Sequence, residues 1–162
     1  MEVRQTVLIR NATSSDAVTI NRLCLEAYAE FRNRVGEINW SQLRETLSRT
    51  SELSTAGELI VAEDPSGLLG VVLYVPPAGT KRAFVRTLAV DPQKRGRGIG
   101  RRLTQECIDR ARTDGADSIG LTTADMMTVA LPMYERMGFA KESNLGKRFG
   151  VPHARYVLKL SQ

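Results

Sequence analysis

The chain has few of the residues that metal sites, disulfide frameworks and membrane spans require. Its 162 residues include two cysteines, one histidine and one tryptophan, and 6% of them are aromatic. Cys24 and Cys107 lie in helix-like segments without C-x-x-C spacing, so we expect neither a disulfide framework nor a cysteine-based zinc site. No apolar run approaches the roughly 20 residues that span a bilayer. These absences predict a protein without a metal and without a membrane segment.

The overall composition is that of a folded protein of ordinary size. Hydrophobic residues make up 42% and charged residues 25%, which excludes a disordered chain. A chain of this length corresponds to about one domain, so we expect a single domain over residues 1–162. Residues 1–5 are polar, without the basic and then apolar order of a signal peptide. Together with the reduced cysteines this predicts a cytoplasmic protein.

The positive charge is concentrated in one segment. The net charge is +5, and the stretch from Lys94 to Arg112 alone contains seven basic and two acidic residues. The remaining chain has 16 residues of each sign and is neutral. A nucleic-acid binder usually spreads its excess charge over a face or a tail. The pattern therefore argues against nucleic acid as a partner and favours a local anion site.

Strand-like and helix-like segments alternate through the chain. Thr13 and Asp16 have the spacing of a capping box at a helix start. The hydrophobic pattern predicts helices at residues 15–31, 41–53, 100–113 and 129–137. It predicts strands at residues 7–10, 58–62, 68–75, 83–90, 119–123, 139–140 and 154–160. This order indicates an α/β domain.

A glycine-rich loop lies between a predicted strand and the helix that follows it. The segment reads Arg95-Gly96-Arg97-Gly98-Ile99-Gly100. Glycines let backbone N–H groups turn toward a phosphate, and the helix N-terminus adds further free donors. Arginines of the loop can bind phosphate oxygens from outside. A pyrophosphate fits this loop, although the spacing is neither that of a Rossmann fingerprint nor that of a P-loop, and such turns also occur as plain structure.

Two longer blocks resemble one family. The segment Leu88-Ala89-Val90-Asp91-Pro92, followed by the glycine loop, resembles the acetyl-CoA motif of the GNAT superfamily of N-acyltransferases. Tyr134-Glu135-Arg136-Met137-Gly138-Phe139 resembles the closing Y-E-x-x-G-F element of that family. The opening Leu8-Ile9-Arg10 segment also resembles the usual first strand.

The resemblance implies a fold, a co-substrate and a reaction. The fold is α/β (α+β), with a mixed, mostly antiparallel sheet that is splayed around acetyl-CoA by a bulge, and with helices on both faces. The reaction is direct attack of a primary amine on acetyl-CoA in a ternary complex, without a metal. By analogy, the backbone N–H of Leu88 polarises the thioester carbonyl and Tyr134 protonates the leaving thiolate. The residues implied to bind acetyl-CoA are Leu88, Ala89, Val90, Arg95, Gly96, Arg97, Gly98, Ile99, Gly100 and Arg101.

The amine acceptor and the general base stay open. Phe84 occupies the position where many members of the family have a glutamate that acts as the base. Either water takes the proton of the amine instead, or the amine arrives neutral. The resemblance makes Tyr28, Phe31, Trp40 and Arg86 candidates for binding the acceptor, with core packing as the alternative for the aromatic residues. We expect His153, the only histidine, to be a solvated loop residue.

The resemblance implies a small-molecule or peptide amine as the partner, and it leaves open whether the protein forms a homodimer. The alternative functions are a CoA-binding protein with weak or lost catalysis and, more remotely, a nucleic-acid-binding domain.

Overall fold

Seven strands form one sheet in the computed structural model, which describes residues 6–53 and 55–160. The strands are β1 (Leu8–Asn11), β2 (Glu58–Asp64), β3 (Gly67–Val75), β4 (Arg82–Val90), β5 (Ser118–Ala124), β6 (Ala140–Arg148) and β7 (Val151–Lys159). Their order across the sheet is β1-β2-β3-β4-β5-β7-β6, and β4 and β5 are the parallel pair among antiparallel neighbours. The predicted mixed, mostly antiparallel sheet is confirmed.

Helices cover both faces of this sheet. They are α1 (Ala17–Tyr28), α2 (Arg32–Val35), α3 (Glu37–Leu47), α4 (Thr50–Leu53), α5 (Ile99–Thr113) and α6 (Ala130–Arg136). Because side chains alternate along a strand, Val61 and Val71 pack in the core with α1 and α3, whereas Ile60 and Val72 pack in the core with α5. Within residues 6–53 and 55–160, no helix is long and apolar enough to cross a membrane. The polar residues 1–5 lie outside the described residues.

The two cysteines lie in different parts of the core. Cys24 on α1 and Cys107 on α5 are free thiols with no exposed surface. Burial raises the pKa of Cys24 to about 11 and that of Cys107 to about 12, because a thiolate in an apolar surrounding loses its hydration. Both thiols are therefore protonated at neutral pH.

The predicted capping box joins β1, β2 and α1. The backbone N–H of Thr13 donates to Asp16 Oδ2 at 2.8 Å. Arg10 on β1 donates to the same carboxylate at 2.8 Å and to Glu63 on β2 at 2.9 Å. The Arg10 guanidinium lowers the pKa of Asp16 to about 2, since it stabilises the charged carboxylate. Arg10 thus links β1 to β2 and to the start of α1.

Several predicted elements have different bounds in the structure, and two of them differ most. The helix predicted at residues 41–53 begins at Glu37, after Gly36 with φ +83°, and it is interrupted between Leu47 and Thr50. The strand predicted at residues 139–140 becomes the nine-residue β6, all of which is exposed. Because an exposed edge strand has no buried face, its sequence lacks the alternation that marks a strand.

A bulge in β4 opens the sheet. Val71 pairs with Ala89 and Leu73 pairs with Arg86, so the register leaves Thr87 and Leu88 without a partner on β3. Thr87 has φ +49°, a left-handed conformation that non-glycine residues rarely adopt. Parallel pairing with β5 ends at Val85. Strands β4 and β5 therefore diverge beyond this residue, which is the splay that the resemblance implied.

Candidate active site

Two cavities meet at the splay. The larger has a volume of about 450 Å³ and lies between the end of β4, the glycine loop, α1 and the segment leading into α6. The smaller has a volume of about 130 Å³ and lies between β4, the end of β5 and α6. Tyr28, Leu88, Met127 and Ala130 line both cavities. The unpaired Leu88 is thus part of the wall that the two cavities share.

The glycine loop shapes one side of the larger cavity. Gly96 and Gly98 have φ +82° and +72°, which is the left-handed region that glycine tolerates. Gly98 caps the 15-residue helix α5, whose first turn has backbone N–H groups without an intrahelical partner. Gly96, Gly98, Ile99 and Gly100 all line the cavity. A helix N-terminus beside a cavity favours an anion there.

The arginines near the loop point in different directions. Arg95 and Arg101 line the larger cavity, and Arg136 of α6 lines it as well. Sequence reasoning did not single out Arg136, although it lies inside the Tyr134-Glu135-Arg136 motif. Arg97 is not among the described lining residues, because its guanidinium forms an ion pair at 3.1 Å with Asp64 of β2. The Arg97 side chain is thus directed toward Asp64, and the role predicted for Arg97 in binding acetyl-CoA stays a prediction that concerns its backbone amide.

Acidic residues from elsewhere in the chain neutralise part of the basic segment. Arg95 pairs with Glu30 at 3.0 Å, and Arg110 pairs with Glu58 at 2.8 Å. Among the described residues that line the larger cavity, Arg101 and Arg136 are the cations without a carboxylate partner. Of the basic segment, Arg101 thus lines this cavity without a carboxylate partner among the described residues, and Arg136 of α6 adds a second such guanidinium there.

Tyr28 connects α1 to the bulge. Its hydroxyl donates to the backbone carbonyl of Leu88 at 3.1 Å. Burial raises the pKa of Tyr28 above its ordinary value, so the hydroxyl keeps its proton. Phe31 packs edge-on against Tyr28 with ring centroids 6.1 Å apart, but it lines only the larger cavity. Of these two aromatic residues predicted to contact the acceptor, only Tyr28 reaches the smaller cavity.

Tyr134 lies in α6 beside the smaller cavity. Its ring is 6% exposed and packs edge-on against Phe139, with centroids 5.8 Å apart. Burial raises the pKa of Tyr134 above its ordinary value. Its hydroxyl has no hydrogen-bond partner within residues 6–53 and 55–160. Thr123 Oγ1, on another wall of this cavity, is also buried without a partner there.

Of the two remaining residues predicted to bind the acceptor, one lines a cavity and the other does not. Arg86 lines the smaller cavity. Trp40 is buried in the core with Leu43 and Leu47, and it is not among the described residues that line either cavity. Its prediction as an acceptor residue is therefore not supported, because α3 turns its indole toward the sheet.

His153 also differs from its prediction. It lies in β7 instead of a loop, lines the smaller cavity, and places Nδ1 2.9 Å from the carbonyl of Val151.

A sheet split beside a bulged strand, with a glycine loop and a helix N-terminus suited to an anion at one side of the split, is an arrangement in which a phosphorylated molecule can lie between the strands. Comparison with known proteins gives the class. The model of the Acetyltransferase (GNAT) family matches residues 22–139, and the chain belongs to this family.

The comparisons also give relatives of known name. Rat (Rattus norvegicus) N-acetyltransferase family 8 member 2 is 31% identical over 125 residues, which are 74% of this chain and 54% of that protein. The chain thus spans about half the length of this relative. A GNAT-family acetyltransferase from Staphylococcus aureus has a TM-score of 0.75 at 18% identity, with 96% of this chain and 100% of that chain covered.

A Salmonella typhimurium protein whose structure was solved with its cofactor acetyl-CoA has a TM-score of 0.70 at 18% identity, with 97% and 95% covered. Likenesses at these identities show the fold.

Proposed function

We propose that this protein transfers the acetyl group of acetyl-CoA to a primary amine by direct attack in a ternary complex. The observation that carries the proposal is the meeting of two cavities at the unpaired Leu88. The larger cavity has the space and the hydrogen-bond donors to bind the phosphate groups of a molecule that supplies the acetyl group. The other is a compact chamber for an acceptor. Family membership supports acetyl transfer as the reaction.

The residues around the larger cavity fit acetyl-CoA, which supplies an acetyl thioester. The amides of the Gly96–Gly98 turn and the first turn of α5 would hold the pyrophosphate. Arg101 and Arg136 have no carboxylate partner in the described chain and would pair with phosphate oxygens. The unpaired stretch at Leu88 offers backbone groups to the pantetheine amides, as an added strand would use them.

Two groups near the junction of the cavities would act on the reacting atoms, Leu88 on the shared wall and Tyr134 in the smaller cavity. The backbone N–H of Leu88 would stabilise negative charge on the carbonyl oxygen. Tyr134 Oη, which keeps its proton because burial raises its pKa, would donate that proton to the departing sulfur. Phe84 cannot accept a proton, so the proton of the amine has to leave by another route.

A screen of amines tests this proposal. Acetyl-CoA is mixed with the protein and with amino acids, peptides, polyamines and aminoglycosides in turn, and release of free CoA thiol is followed together with the mass of the product. We expect thiol release that depends on the acceptor and equals the amount of N-acetylated product. Acetyl-CoA binding without transfer to any amine would support the alternative motivated by Phe84, a CoA-binding protein with lost catalysis.

A further inference from the structure

We infer that the smaller cavity takes amines that carry a carboxylate beside an apolar side chain, as an α-amino acid does, and that Arg86 binds the carboxylate. The inference rests on the proposed acetyl transfer and adds the chemical class of the acceptor.

The charges lining the smaller cavity favour an anion. Sixteen described residues line it, and none of them has a carboxylate. Arg86 is the one arginine or lysine among them. A second ammonium group on the acceptor would therefore find no partner and would face a guanidinium of the same sign. A carboxylate would form a bidentate pair with Arg86.

Arg86 is also free to take such a partner. Arg82, Phe84 and Arg86 alternate along one face of β4, and Arg82 donates to both carboxylate oxygens of Glu142 at 2.9 and 2.8 Å. Within the part of the chain that the structure describes, Arg86 has no carboxylate partner. Its guanidinium lies 5.8 Å from the centroid of the Phe84 ring.

A second guanidinium lies near the same ring, and the pKa of the nearby Glu142 is lowered first by its hydrogen bonds from Arg82 and further by the charge of this group. Arg155 of β7 lies 5.5 Å from the Phe84 centroid, and its Nε is buried without a hydrogen-bond partner among the described residues. A glutamate at position 84 would neutralise these arginines. Phe84 instead contacts both guanidinium groups by cation–π interaction and leaves Arg86 without a carboxylate partner among the described residues. The missing base and the unpaired Arg86 thus have one explanation, since the acceptor brings the negative charge itself.

The position of Arg86 suits an amine next to a carboxylate. Arg86 and Leu88 flank the bulged Thr87 on β4, and both line the smaller cavity. The nitrogen of an α-amino acid is two bonds from its carboxyl carbon. A carboxylate bound to Arg86 would therefore leave the amine on the side of Leu88, where the cavities meet.

One part of the remaining wall is apolar and suits a compact, apolar side chain. Leu43, Leu121, Met126 and Phe149 line the smaller cavity. Its volume of about 130 Å³ is well below the roughly 300–1,000 Å³ of sites for drug-sized ligands. An aliphatic amino acid fits this description better than a bulky antibiotic does.

Leucine, leucinamide and 3-methylbutylamine test the inference, because they share a side chain and only leucine has a carboxylate. We expect Arg86→Gln to lower kcat/KM for leucine by roughly 10- to 100-fold, the usual effect of a hydrogen-bonded charge pair. The two amines without a carboxylate should be acetylated at the wild-type rate. Arg82→Gln is the matched control, since Arg82 lies on the same strand face but is paired with Glu142. Each acceptor is compared with itself, so differences in amine basicity cancel.

A binding measurement decides the role of Arg86 independently of turnover. In the presence of CoA, N-acetylleucine should raise the Tm of the wild type and of Arg82→Gln but not that of Arg86→Gln. The inference is overturned if Arg86→Gln lowers kcat/KM equally for all three acceptors. It is also overturned if N-acetylleucine still raises the Tm of Arg86→Gln. If acetyl-CoA binds and no amine of any class is acetylated, the proposed function fails, and the Tm comparison still reports on Arg86.

Discussion

Tyr134 is a buried residue that lines the smaller cavity, and its hydroxyl has no hydrogen-bond partner among the described residues. A hydroxyl that has no partner in the protein is free to bond a ligand in this cavity. Burial raises its pKa above the ordinary value of 10. The phenol therefore stays protonated throughout the neutral and mildly alkaline range and can act as a proton donor there.

Replacing Tyr134 by phenylalanine should affect turnover and little else. The change removes one oxygen, so we expect acetyl-CoA binding to persist and kcat to fall by roughly 10²–10⁴, the range for a lost general acid. KM for acetyl-CoA should stay nearly constant. The loss should shrink with a thioester whose leaving thiol is more acidic. Steady-state kinetics with both thioesters measure these values.

Tyr74→Phe is the control for this experiment. It also removes a phenolic oxygen, which donates to Asp114 at 2.6 Å, but Tyr74 is not among the described residues lining either cavity. Full activity of Tyr134→Phe would mean that this residue only packs against Phe139.

At the level of single residues, sequence motifs give positions but not side-chain directions. The motif placed Leu88, Gly98 and Tyr134 around one site, and the structure brings them to adjoining cavities. It could not show that Arg97 turns toward Asp64, because that partner is 33 residues earlier in the chain. Trp40 was ambiguous for the same reason, since burial depends on how α3 packs.

The loop before α5 is the element on which donor binding depends. Gly98 has φ +72° and a hypothetical Cβ there would meet no atom within 4 Å. A valine at this position would therefore strain the backbone by about 1–2 kcal/mol without a clash inside the protein. The side chain would instead occupy space beside the larger cavity.

Gly98→Val should abolish the increase in Tm that acetyl-CoA produces. Gly79→Val is a matched control, because Gly79 has φ +74°, equally open surroundings and a place in the β3–β4 connection. Both variants should lose similar stability, and only Gly79→Val should keep the ligand-induced increase. Thermal unfolding with and without acetyl-CoA measures the difference. If acetyl-CoA raised the Tm of Gly98→Val as much as that of the wild type, the loop would not be part of the acetyl-CoA site.

At the level of elements, hydrophobic periodicity predicted the buried strands and amphipathic helices, and the family resemblance implied the bulge, whereas the extent of β6 was not predicted. Helix α5 has a single buried stripe that includes Leu103, Cys107 and Ala111, which the helical period reveals. In contrast, β6 has nine exposed residues, and its strand conformation comes from pairing with β7. The left-handed Thr87 is imposed by the neighbouring strands, and threonine does not signal such a conformation.

For the whole molecule, the Arg10, Asp16 and Glu63 cluster makes stability depend on pH. The folded pKa of Asp16 is about 2, below the ordinary value of 3.8. The carboxylate is thus favoured in the folded state, and its contribution is fully present above pH 4 and is lost as the pH falls toward 2.

Asp16→Asn should lower the free energy of unfolding by roughly 1–3 kcal/mol at pH 7. The difference from the wild type should shrink between pH 4 and pH 2, where the wild type becomes protonated as well. Urea unfolding at several pH values measures this trend. Glu37→Gln, which removes an exposed ion pair with Arg32, should leave stability unchanged within error. A difference that does not vary with pH would assign the effect to packing of the residue instead of its charge.

The two buried cysteines have a practical consequence for the proposed assay. Thiol-specific dyes react with thiolates, and Cys24 and Cys107 are shielded by the core and protonated at neutral pH. The native protein should therefore give no colour with such a dye, whereas both thiols should react after denaturation. The colour that develops during turnover would then count released CoA alone, with no background from the enzyme. A single cysteine introduced on the surface would likewise be the one site that takes a label.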